Sequence, residues 1–288
     1  MRATIENING VPTRYLHHGS GDYGILMLHG VGVSADSWLW NLTALDEQYH
    51  VVAPDMLGYG LTGEGSYRDG APQDGIVDHL ETLVDHLGMK RVLLVGSSFG
   101  SNIACHLLWR LGKRVEGLIL VGCGPALNGP ETLAAMYEQS FANGIAAMSN
   151  PTLDVCRRRM KNLVFDLDTV PEALLMLQLT LYALPGAADR YERRIRGIKD
   201  IEALKRYDVT GRIREIVAPT WVIWGRHDIR GKLDEAENCA RQLPRGRMQI
   251  FENCGHLPYL EQPEAFNEVV QEFLGELHAC VYRKRHPG

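Results

Sequence analysis

Apolar residues along this chain occur in short unbroken runs that alternate with longer stretches of helical spacing. Unbroken apolar runs of this kind are typical of strands buried on both faces of a parallel sheet. The chain has them at residues 25–29, 50–55, 91–95, 115–121, 219–225 and 247–251. Residues 74–87 and 102–111 instead carry apolar side chains at helical spacing, and Gly88 is a natural stop for the first of these helices. The alternation predicts a mostly parallel, doubly wound sheet with helices on both faces.

The two ends of the chain predict additional elements. Asn9-Gly10 lies between two alternating runs, and both residues tolerate a positive φ, which favours an antiparallel hairpin at one edge of the sheet. A short helix is expected over residues 36–45 and a closing helix over residues 263–277. The basic tail of residues 283–288 is expected to fray.

The alternation of strands and helices stops between residues 125 and 212. This stretch has no strand-like run and shows successive helix starts, among them Pro130 in a first turn and Asn150-Pro151 as a cap and first residue. Glycines that are positioned to end helices are Gly144, Gly186 and Gly197. We therefore predict an α/β core formed by residues 1–127 and 213–288, with residues 128–212 inserted as a helical cap.

Composition narrows the class of protein. The chain has 288 residues and 45% apolar content, as in an ordinary globular protein. Its formal net charge of −5 and its pI near 6.1 do not indicate the basic surface that binds nucleic acid. It lacks the apolar segment of a signal peptide and any run of about 18 apolar residues, so we expect a cytoplasmic protein with no membrane partner. Its six cysteines form no C-x-x-C pair, and no H-E-x-x-H spacing occurs, so no metal site is expected.

One pentapeptide, Gly96-Ser97-Ser98-Phe99-Gly100, lies between a buried strand and an amphipathic helix. In a G-x-S-x-G elbow the serine occupies a strained strand-to-helix corner, and a Cβ on either glycine collides with neighbouring elements. Ser98 is therefore the candidate nucleophile. The Phe99 N–H, at the start of the helix, is a candidate donor to an oxyanion. A serine that only ends a strand is the alternative.

A serine nucleophile needs a base and a carboxylate that orients the base. Asp228 follows one predicted strand and His256 follows the next, and the carboxyl ends of parallel strands meet at one crevice. The sequence therefore predicts a catalytic triad of Ser98, Asp228 and His256. A surface ion pair is the alternative for Asp228, since His227 and Asp234 lie nearby, and a loop histidine bonded to the backbone is the alternative for His256.

The loop after the first buried strand, residues 29–34, is the expected source of a second oxyanion donor. The Val31 N–H is the candidate, with Gly32 as the second choice. We expect His29 to shape this loop and Asp55 to cap its own loop. Residues 58–63 match G-x-G-x-x-G, but more glycines follow instead of a helix, so a dinucleotide site is rejected.

Five motifs in order resemble the α/β-hydrolase fold over nearly the full length. They are His29-Gly30, Asp55-x-x-Gly58-x-Gly60, the elbow, Trp224-Gly225-x-x-Asp228 and Gly255-His256. Residues 29–38 and 159–166 and the pair Phe266-Asn267 resemble more narrowly the meta-cleavage product hydrolases. That resemblance implies hydrolysis of a carbon–carbon bond in a vinylogous diketo acid, without a cofactor.

Three positions depart from the pattern of that family. Ser97 stands where the family usually has Asn, Gln178 where its cap supplies an arginine for the substrate carboxylate, and Leu257 where it has Trp. A neutral amide does not replace a guanidinium fork for a carboxylate. Arg157 and Arg159 flank an apolar stripe of the cap and are candidates to compensate, with solvated cap arginines as the favoured alternative. The substrate-binding candidates are Gly32, Ser97, Gln178, Arg159 and Leu257.

These features predict a cofactor-independent serine hydrolase for a small, largely apolar carbonyl substrate. The scissile bond is either the carbon–carbon bond of a diketone or an ester, as in a carboxylesterase or lactonase. A noncatalytic small-molecule receptor, and a lyase or cofactor-free oxygenase that uses the same pocket, are alternatives on this fold. The sequence leaves open whether the chain forms a homodimer.

Overall fold

The computed structural model describes residues 1–65 and 71–285, with side chains described as far as residue 279. The part of the tail from residue 286, where fraying is expected, lies outside the described residues, as do residues 66–70 of the loop before the first helix. Every predicted buried run forms a strand, and all the strands join one sheet.

The sheet has eight strands: β1 Arg2–Ile8, β2 Val11–His18, β3 Tyr23–Leu28, β4 His50–Pro54, β5 Arg91–Ser97, β6 Val115–Val121, β7 Thr220–Gly225 and β8 Gly246–Phe251. Their order across the sheet is β1-β2-β4-β3-β5-β6-β7-β8. β1 pairs antiparallel with β2, and β2 pairs antiparallel with β4, while all the other pairings are parallel. The parallel part brings the carboxyl ends of β5, β7 and β8 to one edge.

The helices are α1 Pro72–His86, α2 Phe99–Leu111, α3 Gly124–Leu127, α4 Pro130–Ser149, α5 Leu153–Lys161, α6 Glu172–Tyr182, α7 Ala187–Ile198, α8 Ile201–Arg206, α9 Leu233–Ala240, α10 Pro258–Glu261 and α11 Pro263–Arg285. The stretch between β6 and β7 is described throughout and contains helices but no strand. We call residues 128–212 the cap segment, and its division from the core stays a prediction. In the described part of the chain, no helix is long and apolar enough to cross a membrane.

The hairpin prediction is confirmed, because β1 and β2 pair across Asn9 and Gly10, which have φ values of 49° and 87°. The helix expected over residues 36–45 is wrong: only a 3₁₀ turn, Ala35–Trp38, forms there. Side chains of this segment make tertiary bonds instead. Asn41, for example, donates a hydrogen bond to the Tyr259 carbonyl at 3.2 Å. The closing helix is confirmed and runs further than expected, to Arg285.

Gly144 does not end a helix as expected, because α4 continues through it to Ser149. A Cβ at Gly144 would lie 2.2 Å from the hydroxyl oxygen of Tyr191, whose ring is fully buried. The glycine therefore serves the close packing of α4 against α7. Gly197 likewise lies inside α7, whereas Gly186 precedes the start of that helix with a φ of 72°.

Candidate active site

Ser98 lies at the corner between β5 and α2 with φ 52° and ψ −121°, a backbone conformation that L-residues rarely adopt. The flanking glycines make the corner sterically allowed. A Cβ on Gly96 would lie 2.4 Å from the Gly100 carbonyl oxygen, and one on Gly100 would lie 2.3 Å from the Leu28 carbonyl oxygen. The Ser98 N–H donates to the Val121 carbonyl at 2.9 Å, which ties the corner to β6. The structure thus has the strained elbow that the pentapeptide predicts.

His256 and Asp228 form a buried pair at the ends of β8 and β7. The His256 Nδ1 lies 2.8 Å from the Asp228 Oδ2, and the second carboxylate oxygen accepts the Arg230 N–H at 2.7 Å. A neutral imidazole that donates from Nδ1 keeps the lone pair of Nε2 free to accept a proton. His256 packs on Gly122, where a Cβ would lie 2.6 Å from the His256 carbonyl oxygen.

The other acidic and basic candidates near Asp228 are placed differently. Asp234 is exposed in the first turn of α9. The His227 ring packs against Phe165, with 4.5 Å between the ring centroids. Among these neighbours, only Asp228 therefore reaches the ring of His256.

The loop that follows β3 packs directly against Ser98, since a Cβ on Gly30 would lie 3.0 Å from that of Ser98. The His29 Nδ1 lies 2.8 Å from the Gly30 carbonyl oxygen, and its Nε2 accepts the Met56 N–H at 3.0 Å. In a trans peptide the N–H points opposite to the carbonyl, so this bond turns the Val31 N–H away from His29. Burial lowers the pKa of His29, which keeps the ring neutral in this role.

Asp55 ties the end of the loop after β3 to the loop after β4. Its carboxylate accepts the Ala35 N–H at 2.8 Å and the Leu61 N–H at 2.9 Å, and it pairs with Arg14 at 3.1 Å. Arg14 also pairs with Asp36 at 2.6 Å. This buried network gives Asp55 a role in loop structure, away from the reacting atoms.

Ser98, His256, Val31, Leu257 and Arg159 line one small cavity of about 40 Å³, between the sheet edge and the cap segment. Side chains of α4 and α5 line it, among them the apolar Met136 and the ring of Tyr137. A larger open groove of about 1030 Å³ lies between α4 and α9, but Ser98, Asp228 and His256 do not line it. The chemistry-bearing residues therefore mark the small cavity as the candidate active site.

The other predicted substrate-binding residues lie elsewhere. Gly32 and Gln178 line a neighbouring cavity of about 50 Å³, and the hydroxyl of Tyr182, which lines the same cavity, donates to the Gly32 carbonyl at 2.6 Å. Ser97 is fully buried at the end of β5 and is not among the residues that line either cavity. The roles assigned to these three residues stay predictions.

Arg159 is buried, with 7% of its surface exposed, rather than solvated. Its guanidinium donates to the carbonyls of Val31 at 3.2 Å and Gly32 at 3.0 Å, and to the Tyr182 hydroxyl at 2.6 Å. Burial opposes the charge, but Tyr182 and Tyr191 raise the pKa of the guanidinium above its usual range. Arg157, on the same helix, is half-buried and pairs with Asp154 and Glu172.

Sequence reasoning missed two residues of this site. Arg230 lines the cavity two residues after Asp228, and only that proximity in sequence could have signalled it. Glu261 is buried in α10 and accepts the N–H groups of Gly255 at 3.0 Å, Leu257 at 3.3 Å and Phe165 at 2.6 Å. It therefore links the loop that carries His256 to the cap segment. Burial raises the pKa of Glu261 against the effect of these donors.

Candidate metal ligands are not clustered in the described residues, where no group of three or more His, Cys, Asp or Glu side chains could hold an ion. The cysteines whose side chains are described, Cys105, Cys123, Cys156, Cys239 and Cys254, are free and buried. Burial raises the pKa of the Cys105 thiol, which is typical of a cysteine that acts as a small apolar residue.

The chain is similar in sequence and in fold to several known proteins. Residues 25–269 match the profile of the Alpha/beta hydrolase family. A 2-hydroxy-6-oxononadienedioate/2-hydroxy-6-oxononatrienedioate hydrolase of Paraburkholderia phymatum is 30% identical, covering 91% of this chain and 90% of the relative. A 2-hydroxymuconate semialdehyde hydrolase of a Pseudomonas species is 29% identical, covering 92% of each chain.

Among solved structures, a meta-cleavage product hydrolase from Pseudomonas fluorescens superposes with a TM-score of 0.76 at 26% identity, covering 96% of this chain and 98% of that one. The resemblance that the motifs predict is confirmed, and so is the fold class. The chain belongs to the alpha/beta hydrolase family and is a hydrolase.

Proposed function

We propose that the protein is a cofactor-independent serine hydrolase that cleaves the carbon–carbon bond of a diketone-like acid, similar to a meta-cleavage product. The observation that carries the proposal is the hydrogen bond between His256 and Asp228 beside the elbow serine, with His256 and Ser98 lining one cavity. In this proposal His256, oriented by Asp228, takes a proton from Ser98 or from water. The Val31 and Phe99 N–H groups stabilise the oxyanion that forms.

The reaction consumes one water molecule. A carbon–oxygen bond forms at the carbonyl carbon, and the adjacent carbon–carbon bond breaks. The conjugated carbonyl of the departing fragment accepts the electron pair and His256 returns a proton to it, so the products are a carboxylic acid and the protonated fragment. A cavity covered by the cap segment excludes bulk water and thereby strengthens the oxyanion contacts.

Two observations favour a keto acid over a neutral ester. The relatives named above act, by their names, on oxo-dienedioates and on a hydroxymuconate semialdehyde. The cavity also contains the buried guanidinium of Arg159, whose hydrogen bonds go to backbone carbonyls and a tyrosine hydroxyl. A buried cation next to the nucleophile suits a carboxylate better than an uncharged acyl chain. A cytoplasmic location and a small-molecule substrate belong to this proposal, with a homodimer as an open alternative.

The test offers a dienoate ring-cleavage product and a p-nitrophenyl ester separately to the wild type and to Ser98→Ala. We expect the dienoate chromophore to disappear with release of an acid in the wild type, and turnover to fall by at least about 10³-fold in the variant. Turnover of the ester alone would show a carboxylesterase and overturn the carbon–carbon proposal. Specific binding of the dienoate without turnover would identify a receptor.

A further inference from the structure

A second arginine, Arg230, faces the same cavity as Arg159 from the loop that carries the triad aspartate. It is 6% exposed. Its backbone N–H donates to Asp228 at 2.7 Å, and its guanidinium donates through Nη2 to the Ser140 hydroxyl on α4. Arg159 reaches the cavity from α5 on the cap segment. The two guanidiniums thus approach one space from the two sides of the site.

Neither guanidinium has a carboxylate partner among the described residues. Asp228, whose charge attracts the Arg230 guanidinium, already accepts hydrogen bonds from His256 and from the Arg230 backbone. The Nε of Arg159 and the Nη1 of Arg230 are buried and have no hydrogen-bond partner. Buried charges are normally paired, and buried N–H donors are normally satisfied.

The two positive charges also act on each other. Burial lowers the pKa of Arg230, and the charge of Arg159 lowers it further, against the attraction of Asp228. An anion bound between the two guanidiniums would supply the missing acceptors and offset this repulsion. The planar fork of arginine matches the two oxygens of a carboxylate in particular.

We propose that Arg159 and Arg230 together form a binding subsite for a carboxylate group of the substrate. The inference rests on the proposed function and names the residues that select an acid. In the family pattern the cap arginine stands at the position of Gln178. Here Gln178 lines the neighbouring cavity, so the proposed subsite uses two other residues. A carboxylate in this subsite joins the cap segment to the loop that holds Asp228.

The first experiment measures anion binding without catalysis. Glutarate is titrated by calorimetry into Ser98→Ala and into the same variant with Arg230→Gln or Arg159→Gln. We expect either arginine substitution to weaken glutarate binding by roughly 10- to 100-fold, the effect of a charge-assisted hydrogen bond. Arg157→Gln is the matched control, because this arginine lies on the same helix as Arg159 but pairs with Asp154 and Glu172 and does not line the cavity, and it should leave the affinity unchanged.

The second experiment measures selection during turnover. The kcat/KM for the p-nitrophenyl monoester of glutaric acid is divided by that for p-nitrophenyl pentanoate, which has the same chain length without the carboxylate. Arg230→Gln and Arg159→Gln should each lower this ratio by roughly 10-fold or more. If Arg230→Gln does not fold, as judged by circular dichroism, Arg230→Met is measured in its place, because Met keeps a long side chain without the charge.

The outcomes separate this inference from the proposed function. Arginine-dependent glutarate binding in a protein that cleaves neither the dienoate nor the esters supports the subsite while the proposed function fails. Folded arginine variants with unchanged glutarate affinity and an unchanged ratio overturn the subsite, even if the wild type cleaves the dienoate. In another outcome, the wild type binds inorganic phosphate as tightly as glutarate, and the arginine substitutions weaken the binding of both anions equally. That result would overturn the assignment of the subsite to a carboxylate.

Discussion

Glu261 offers a sharp test of how the site is held together. Its buried carboxylate accepts the N–H groups of Gly255, Leu257 and Phe165, so it joins both neighbours of His256 to the cap segment. Glu261→Ala leaves these donors buried without an acceptor, at a cost of about 1–3 kcal/mol for each. The raised pKa of Glu261 shows that burying its charge also has a cost, which the substitution relieves.

We therefore expect Glu261→Ala to lower the free energy of unfolding by about 3–5 kcal/mol. Release of Gly255 and Leu257 also allows His256 to move, and a displacement of about 1 Å lowers kcat by roughly 10²-fold. Urea unfolding followed by circular dichroism gives the first quantity, and steady-state turnover gives the second.

The matched control is Glu264→Ala, which removes an exposed carboxylate from the first turn of α11 and should change stability by less than about 0.5 kcal/mol. Glu261→Gln keeps one acceptor oxygen and should fall between the two. If Glu261→Ala unfolds within about 1 kcal/mol of the wild type and keeps its kcat, the reasoning about this link is refuted.

Three further substitutions test separate parts of the account. Asp228→Asn should leave the fold intact and lower kcat by roughly 10³- to 10⁴-fold, because an NH2 group replaces one of the two accepting oxygens and His256 loses its charged partner; steady-state kinetics measures this. Gly144→Ala should destabilise the protein by about 1–3 kcal/mol in urea, because its Cβ meets the buried Tyr191 ring. Burial lowers the pKa of His29 below its ordinary 6.5. The contribution of His29 to stability is therefore present above pH 6.5 and is lost as the pH falls through the lowered value. His29→Gln should make the free energy of unfolding, measured by urea titration at several pH values, less dependent on pH in this acidic range.

Local patterns in the sequence were sufficient to predict the strands and the elbow, and to place the three proposed triad residues at one edge of the sheet. Ser98, Asp228 and His256 each follow a buried apolar run, and parallel strands bring their carboxyl ends to one edge whatever the details of packing. The need for both glycines of the pentapeptide is also local. A Cβ at Gly96 would collide with the backbone of α2, and a Cβ at Gly100 would collide with the backbone at the end of β3.

The rest of the site depends on contacts between distant segments, which no local pattern encodes. Arg159 on α5 has the same helical context as Arg157, but only Arg159 faces the oxyanion loop and is buried. Glu261 has no periodic or motif signal, because its partners are backbone N–H groups that the fold brings together. The helix expected over residues 36–45 failed for the same reason, since tertiary hydrogen bonds there replace helical ones.

The most direct test of the central claim is the reaction of the folded protein with a fluorophosphonate, followed by peptide mass spectrometry. The account predicts one phosphonylated serine, Ser98, formed with loss of fluoride, and labelling that disappears in Ser98→Ala but persists in Ser97→Ala. Labelling should also slow strongly in Asp228→Asn. A folded wild type that takes no label, or that is labelled at another serine, would contradict the claim that Ser98 is the activated nucleophile.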